Sequence, residues 1–369
     1  MQTQRNTIKP ILVRFMLIFS IVSILVSCQL NPSPVANATV VPVSDGAETQ
    51  VTPPPLPDTF QTELLNPIDT PHTYHREACR YLRYKWNPSN SPPGTVVMVI
   101  LFKNINRGTA ELPDSIRLLD FFDLMDQLKV QGFEAINTNQ LHAFLQRNAA
   151  IPLRSVLLIQ DGNQTEEYFD KNFREYFENW GWSVTNGWIS ERDIDPILLE
   201  GNVSLEYEGF VNHQARGVTP DVFLSDDVAK TIIARELQGS FSGLVNFNKT
   251  PNSIIWPNGG FGIRPVEAAR QLRFRLGFTQ NPRGPIMYNW IPLADAVDPE
   301  RPGLIPEGRI NDPVMTIPTY SPQEAFHAID TVRNIGKAAA NYALANKEIE
   351  HEYYNIVCAE EYGPIPTTP

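Results

Sequence analysis

The sequence predicts an α/β fold in which a parallel sheet curls into a distorted (β/α) barrel. Residues 95–102 (TVVMVILF) and 155–159 (SVLLI) are continuous apolar runs, which are typical of strands buried on both faces of a parallel sheet. The segment between them has the periodicity of amphipathic helices. This alternation extends over about 290 residues, a length that suits one barrel or near-barrel.

The elements follow one another in βα order. After the first strand, residues 118–128 predict a helix that ends before Gly132. The later elements are predicted as a short strand at 133–136, a helix beginning at Asn137 or Thr138, an aromatic helix at about 166–180, and strands at 183–188, 209–212 and 253–256. Ser321 and Glu324 form a capping-box pattern, with Pro322 at the first helical position. They begin a long Ala-rich helix that reaches about Tyr353.

The N-terminal 27 residues have the pattern of a secretion signal. Arg5, Lys9 and Arg14 precede an apolar run at 15–26 that is too short to span about 30 Å of hydrocarbon. The run ends in LVSC, which resembles the lipobox of bacterial lipoproteins, in which the cysteine is acylated. We therefore expect lipidation at Cys28 and an extracytoplasmic chain anchored to the cell membrane, or to an outer membrane if the host has one. The alternative is an uncleaved membrane anchor.

Residues 28–74 are expected to form a disordered tether between the lipid and the domain. They are rich in Pro, Val, Thr and Ser, with three consecutive prolines at 53–55, and up to residue 71 almost without aromatic residues. A segment of this composition has too little apolar surface to form a core. The remaining residues, 75–369, are predicted to form one domain with a C-terminal helix.

The net charge argues against two classes of partner. Loss of the signal leaves 27 Lys and Arg against 41 Asp and Glu, a net charge of −14. Such a surface repels nucleic acid and anionic lipid. We expect no nucleic-acid partner, and membrane contact through the lipid anchor only.

Two cysteines remain after Cys28. Cys79 and Cys358 lie near the start and the end of the predicted domain. An even number of cysteines in an oxidising compartment suggests a disulfide that joins the two ends. The alternative is two separate buried thiols.

Several segments together resemble the polysaccharide deacetylase family (the NodB-homology domain, carbohydrate esterase family 4). They occur in the family's order and spacing, between about residues 96 and 284: ILFKNI (100–105), FDLMDQLK (122–129), GFEAI (132–136), LIQDG (158–162), NHQARG (212–217), WPNG (256–259) and GFT (277–279). The resemblance implies the deacetylase-type barrel and removal of acetyl groups from envelope polysaccharide or a peptidoglycan-type glycan.

The resemblance also implies a divalent metal, zinc being the expected one, that activates water. Residue by residue, Asp161 matches the metal-binding Asp and His213 the first metal-binding His. Two positions depart from the family pattern. Gln160 stands where the catalytic base is usual, and Gly217 where the second metal-binding His is usual. Lys103 stands where the family has His at the end of the first strand.

An amide is no general base near neutral pH, and glycine offers no ligand atom, so the motifs describe an incomplete site. His327 or His351 remain candidates for the distal acid. Asp221, Asp226 and Glu191 are the acidic residues that remain as replacement ligands.

Other side chains have two interpretations each. Lys103 is either a solvated strand-end residue or a cation that replaces the metal and pairs with Asp161. Trp188 and Trp256 each follow a predicted strand, so they are candidates for stacking on sugar rings at the C-terminal end of the barrel, with Asn258 beside them. The alternative for both tryptophans is the core.

Two functions of different classes therefore remain. One is a hydrolase that removes acetyl groups through a metal site rebuilt from other ligands. The other is a non-catalytic carbohydrate-binding or scaffold protein that uses a deacetylase barrel, in which case no metal is required. The substitutions at Gln160 and Gly217 favour an impaired site.

Overall fold

The computed structural model describes residues 52–108, 115–191 and 196–368. The predicted signal peptide, Cys28 and the first part of the tether lie outside these residues. The strands described are β1 (Asp69–His72), β2 (Val96–Phe102), β3 (Asn104–Asn106), β4 (Ser115–Arg117), β5 (Glu134–Ala135), β6 (Arg154–Asp161), β7 (Val184–Ile189), β8 (Val211–Gly217), β9 (Ser253–Ile255), β10 (Leu276–Phe278) and β11 (Ile291–Ala294).

The helices alternate with these strands over most of the chain. They are α1 (Ala78–Lys85), α2 (Leu118–Val130), α3 (Thr138–Arg147), α4 (Glu166–Asn172), α5 (Arg174–Trp180), α6 (Gly201–Glu206), α7 (Lys230–Val245), α8 (Ile263–Gln271), α9 (Pro322–Val357) and α10 (Ala359–Tyr362). Short 3₁₀ turns lie at Pro196–Leu199, Pro257–Gly259, Glu307–Ile310 and Pro313–Met315. The aromatic helix expected at about 166–180 is therefore two consecutive helices, α4 and α5.

The main sheet is parallel and has the strand order β10-β9-β8-β7-β6-β2, with β5 also paired to β6. The segment that follows β11 closes the gap between its two outer strands. Ile317 bridges Phe278 of β10, and Tyr320 bridges Ile100 of β2. The sheet is thus the curled, nearly closed (β/α) barrel that the sequence predicts.

Strand β2 is buried along its whole length because it separates two hydrophobic clusters. Its even-numbered side chains pack outward with α2 and α9, and its odd-numbered side chains pack inside the barrel with those of β6 and β10. The apolar run at 96–102 is the sequence signature of this double burial. Helix α9 lies close against the start of β2, where a Cβ at Gly94 would come within 2.5 Å of the Gly336 carbonyl oxygen.

Helix α9 and the disulfide confirm two predictions. Ser321 accepts a hydrogen bond from the Glu324 backbone, and the Glu324 side chain accepts one from Ser321, so the predicted capping box is formed. At the other end of α9, Cys358 is bonded to Cys79, the residue that follows Ala78 in α1. The bond joins the beginning and the end of the described domain.

The second half of the predicted tether is ordered against the domain, which corrects the expected boundary at residue 74. Strand β1 pairs antiparallel with β11. The Phe60 ring contacts the rings of Trp290 and Tyr342, with centroids 5.9 and 5.6 Å apart. These contacts come from a few residues, namely Phe60 and the residues of β1. The average composition of the segment does not reveal them. Among the described residues, no helix is long and apolar enough to cross a membrane.

Candidate functional site

The side chains of interest meet at the carboxyl ends of β6, β8 and β9, which we call the barrel mouth. Asp161 is the last residue of β6, and its side chain is only 2% exposed. The register pairs Asp161 with Gly187 on β7 and Gly187 with Gln214 on β8. Parallel strands of a barrel place their functional side chains at this end, so the position agrees with the predicted site.

Arg216 on β8 makes the main contact with Asp161. Its Nε donates to Asp161 Oδ1 at 2.9 Å, and the guanidinium is 5% exposed. The other Asp161 oxygen, Oδ2, lies 3.4 Å from Gln280 Nε2. A buried charge is stable only when it is paired and hydrogen-bonded, and Arg216 meets this need for Asp161.

The remaining donors of Arg216 join two loops of the barrel mouth. Nη1 donates to the Pro220 carbonyl at 2.7 Å, and Nη2 to Asn258 Oδ1 at 3.1 Å. Asn258 is exposed, and its backbone is in the left-handed region with φ of 52°. Its side-chain amide donates to the Val222 carbonyl. Arg216 therefore connects the end of β6 to the loops after β8 and β9.

His213 lies on the opposite face of the sheet from Asp161. Gln214 is in register with Asp161, and successive side chains along a strand point to opposite faces. His213 consequently packs against the outward-facing residues of β7, with its Nδ1 3.2 Å from Asn186 Nδ2 and its ring against Trp188. The predicted metal pair of Asp161 and His213 is not formed, because β8 extends to Gly217 where the sequence suggested a loop.

Burial dominates the chemistry of His213. It lowers the pKa of the imidazole to about 3, with a smaller contribution from the positive charge of Lys249. The ring is therefore neutral in the folded protein at neutral pH. Its role in the described structure is packing and hydrogen bonding behind the sheet.

Gln160, which the resemblance aligns with the family's catalytic base, also faces away from the barrel interior. Its side-chain oxygen accepts from the Tyr168 hydroxyl at 2.7 Å, and its amide donates to the Lys103 carbonyl at 2.8 Å. Gln160 thus joins β6 to α4 and to the end of β2. Lys103 was suggested as the partner of Asp161, whereas the cation bonded to Asp161 is Arg216.

The two tryptophans proposed for sugar stacking belong to the core. Trp188 is 4% exposed and Trp256 is completely buried, and both pack with residues of α7 and α8. Trp256 Nε1 donates to the Met315 carbonyl at 2.7 Å. Of the three residues predicted to bind substrate, Asn258 alone has an exposed side chain at the barrel mouth.

The residues at the barrel mouth do not fit the metal that the family resemblance implies. Asp161 is held by a guanidinium, His213 is behind the sheet, and Gly217 supplies no ligand atom. Throughout residues 52–108, 115–191 and 196–368, no group of three or more His, Cys, Asp and Glu side chains is arranged to hold a metal ion. Asp226, considered as a replacement ligand, accepts from the Ile263 and Arg264 backbone at the start of α8.

Sequence reasoning missed Arg216 because the NHQARG segment was aligned on its histidine. The alternation of inward-facing and outward-facing residues along β8 is the pattern that could have identified Arg216. Once β8 is extended to Gly217, residues 212, 214 and 216 share the inward face, and Arg216 is the last of them.

Comparisons with known proteins find similar solved structures at low sequence identity and at TM-scores below 0.5. No family model matches the chain, and no curated protein matches it. Several similar solved structures are described as deacetylases, two of them as polysaccharide deacetylases. The Streptococcus pyogenes deacetylase PplD, in complex with acetate, is 14% identical with a TM-score of 0.47, covering 63% of this chain and 98% of its own.

Two further structures have the same TM-score. The de-N-acetylase from Aggregatibacter actinomycetemcomitans is 11% identical and covers 65% of this chain and 99% of its own. IcaB from Ammonifex degensii is 11% identical and covers 66% of this chain and 97% of its own.

Proposed function

We propose that this chain is an extracytoplasmic lipoprotein that binds envelope carbohydrate through a deacetylase-type barrel without deacetylating it. The observation behind the proposal is the buried ion pair of Arg216 and Asp161. A carboxylate that accepts from a buried guanidinium is compensated by that cation, and a second cation at the same place would be repelled.

The expected acid–base chemistry is missing as well. Gln160 occupies the position of the base, is uncharged, and points toward α4. Positioned general bases contribute about 10²–10⁴-fold to rate, and a metal supplies the activated water. A barrel mouth that lacks both is expected to release acetate no faster than a denatured control.

The carbohydrate ligand is proposed from the family resemblance of the motifs and from the expected location. Cys28 would hold the domain beside envelope glycan, and the net charge of −14 after signal removal disfavours nucleic acid. A peptidoglycan-type glycan is the ligand we favour.

The test uses the full lipidated chain in detergent. We expect it to co-sediment with insoluble peptidoglycan and to release no acetate from acetylated chito-oligosaccharide, with or without added zinc. Acetate release that requires zinc and is abolished by a chelator would show that the domain is a deacetylase. Absence of both binding and release would contradict carbohydrate binding.

The lipid anchor is tested separately by cell fractionation. Cys28→Ser should move the protein from the membrane fraction to the soluble fraction, because the lipid is attached to that thiol. Ser33→Ala, five residues away, is the matched control and should stay in the membrane fraction. Membrane retention of Cys28→Ser would contradict the anchor.

A further inference from the structure

Four charged side chains meet where β1 contacts the rest of the domain. They are Asp69, the first residue of β1, Arg283 after β10, Asp298 after β11 and Glu307 in a 3₁₀ turn. The Arg283 guanidinium contacts all three carboxylates, through Nη1 to Asp69 Oδ1 at 3.4 Å, Nη2 to Asp298 Oδ2 at 2.9 Å and Nε to Glu307 Oε1 at 3.1 Å. Each of the four side chains is at most 13% exposed. We call them the Asp69 cluster.

The Asp69 cluster contains more negative than positive charge. Arg283 is the cation of the cluster, and Arg301 attracts Asp298 from outside it. Arg301 also donates to Asn281 Oδ1 at 2.6 Å and lies 3.9 Å from a further carboxylate, that of Glu324. Even if both guanidinium groups are counted, the three carboxylates of the cluster outnumber the cations. A buried charge is costly unless it is paired, so one of these carboxyl groups is expected to be neutral.

The hydrogen bonds identify Asp69 as that group. Its Oδ2 accepts from Asn66 Nδ2 at 3.0 Å, whereas its Oδ1 is buried and accepts no hydrogen bond in the described part of the chain. The 3.4 Å contact of Oδ1 with Arg283 is an ion pair without hydrogen-bond geometry. Glu307 Oε2 is likewise buried without a donor among the described residues. A buried acceptor without a donor is unfavourable, and a proton on Asp69 removes the charge and supplies an O–H donor.

We propose that docking of residues 52–72, which we call the N-terminal segment, takes up one proton at the Asp69 cluster, so that the domain holds this segment more tightly in acid. β1 brings Asp69 into the cluster, and the contacts of Phe60 and the pairing with β11 hold the rest of the segment. Separation of the segment returns the Asp69 carboxylate to water, where its charge is stable. Docking of this kind is independent of carbohydrate binding.

The pKa of Asp69 gives the direction of the pH dependence. Burial raises this pKa from 3.8 to about 6; Arg283 and Asn66 oppose the shift, and Glu307 and Asp298 add to it. Between these two values the docked segment binds the proton and the separated segment does not. Docking therefore weakens as the pH rises from 3.8 to about 6. A difference of one proton changes the equilibrium by up to about tenfold per pH unit.

His72 is the other group on β1 whose titration has to be distinguished from that of Asp69. Its Nε2 lies 3.0 Å from Asp295 Oδ1 on β11, and histidine changes charge in a similar pH range. The Tyr320 hydroxyl interacts electrostatically with Asp69 and stays neutral in this range, because burial raises its pKa. The control variant is therefore made at His72.

Release of the N-terminal segment lengthens the connection to the lipid expected at Cys28. The segment has 21 residues. An extended chain spans about 3.3–3.6 Å per residue, so the reach of the domain increases by up to about 70 Å. The Asp69 cluster thus makes the length of the tether depend on pH, with the shorter tether in acid.

The test is hydrogen exchange of the β1 amides in the full lipidated chain in detergent, corrected for intrinsic exchange rates, from pH 4.5 to pH 7. In the parent, the equilibrium constant for local opening of β1 should rise about 20-fold over this range. Asp69→Asn keeps the shape of the side chain without its charge. Its opening constant should not depend on pH, and at pH 7 it should be at least about tenfold lower than that of the parent. His72→Asn is the matched control and should keep the pH dependence of the parent.

Three results would overturn the inference. The first is an opening constant of the parent that does not change with pH. The second is Asp69→Asn that opens more readily than the parent at pH 7, because Asp69 would then hold the segment as a charged partner of Arg283. The third is loss of the pH dependence in His72→Asn, which would place the proton on the histidine.

Glu307→Gln tests the same cluster if Asp69→Asn does not fold. This variant removes a negative charge that raises the pKa of Asp69. The rise in the opening constant should therefore move to lower pH. An unchanged midpoint would contradict the role of the Asp69 cluster.

Discussion

Arg216 Nε donates to Asp161 Oδ1 across 2.9 Å at the barrel mouth, and the two side chains are no more than 5% exposed. The guanidinium is also bonded to the Pro220 carbonyl and to Asn258. The pair therefore ties three strand ends together at the place where the family resemblance predicts a metal. Its removal should lower the stability of the domain.

Arg216→Met should lower the free energy of unfolding by about 3–5 kcal/mol, because it leaves the Asp161 charge buried without its partner. Urea denaturation provides the measurement. Lys171→Met is the matched control, since it breaks an exposed pair with Glu167 on α4 and should cost less than about 1 kcal/mol. Combining Arg216→Met with Asp161→Leu should recover part of the loss. A cost for Arg216→Met no larger than that of the control would contradict the structural role of the pair.

Neither chelator nor zinc should change the thermal unfolding midpoint. A ligand that binds only the folded state raises its stability by RT ln(1 + [L]/Kd), so a site without affinity gives no shift. The donors at the barrel mouth are engaged or misplaced. Differential scanning fluorimetry with EDTA or with zinc checks this, together with metal analysis of the purified chain. About one zinc per chain and a midpoint lowered by EDTA would contradict it and would revive the deacetylase alternative.

Reduction of the disulfide should destabilise the domain strongly. Cys79 and Cys358 are 279 residues apart in sequence, and a loop of this length gives an upper estimate of about 5 kcal/mol from chain entropy. The measurement compares denaturation midpoints with and without reductant, and the double variant Cys79→Ser/Cys358→Ser should resemble the reduced protein. In that double variant, reductant should have no further effect. Equal midpoints for the oxidised and reduced parent would contradict the stabilising role.

His213 should make the domain sensitive to acid. In the folded state its pKa is about 3, whereas the unfolded imidazole takes up a proton near its ordinary value of about 6.5. Between these values the unfolded state binds more protons, so stability falls as the pH is lowered from about 6.5 toward 3. The contribution of His213 is at most about 1.4 kcal/mol per pH unit.

The measurement compares denaturation curves from pH 7 to pH 4. His213→Asn keeps an acceptor for Asn186 and does not titrate, so its stability relative to the parent should improve as the pH falls. His327→Asn, at an exposed position on α9, should keep the pH dependence of the parent. Parallel curves for the parent and His213→Asn would contradict the argument.

The parts of the fold that local physics determines were predictable from the sequence. Strand β2 is apolar on both faces because both faces are buried, and the Ser321 capping box lies within one turn of chain. The disulfide followed from cysteine number and compartment. These features depend on patterns that are short or compositional, and the structure confirms them.

The barrel mouth was less predictable because its polar side chains have distant partners. Gln214 accepts from Ser253 on β9, and Arg216 donates to Asp161 on β6. Because the inward-facing residues of β8 are polar, its sequence lacks the alternation of apolar and polar residues that indicates a half-buried strand. The predicted strand therefore ended at Asn212. The metal-ligand assignment to His213 came from the family resemblance of the NHQARG segment, and the strand register places that side chain behind the sheet. The ordered contacts of Phe60 were missed for a related reason, since its partners, Trp290 and Tyr342, are distant in sequence.

The bond between Cys79 and Cys358 has a further consequence for proteolysis of the domain. Any single backbone cut between the two residues yields two fragments that remain in one covalent molecule. The fragment that contains β2 stays bound to α9, whose contacts with that strand form part of the core. A nicked domain therefore keeps its pieces at high effective concentration, and neither piece separates from the rest while the bond is oxidised.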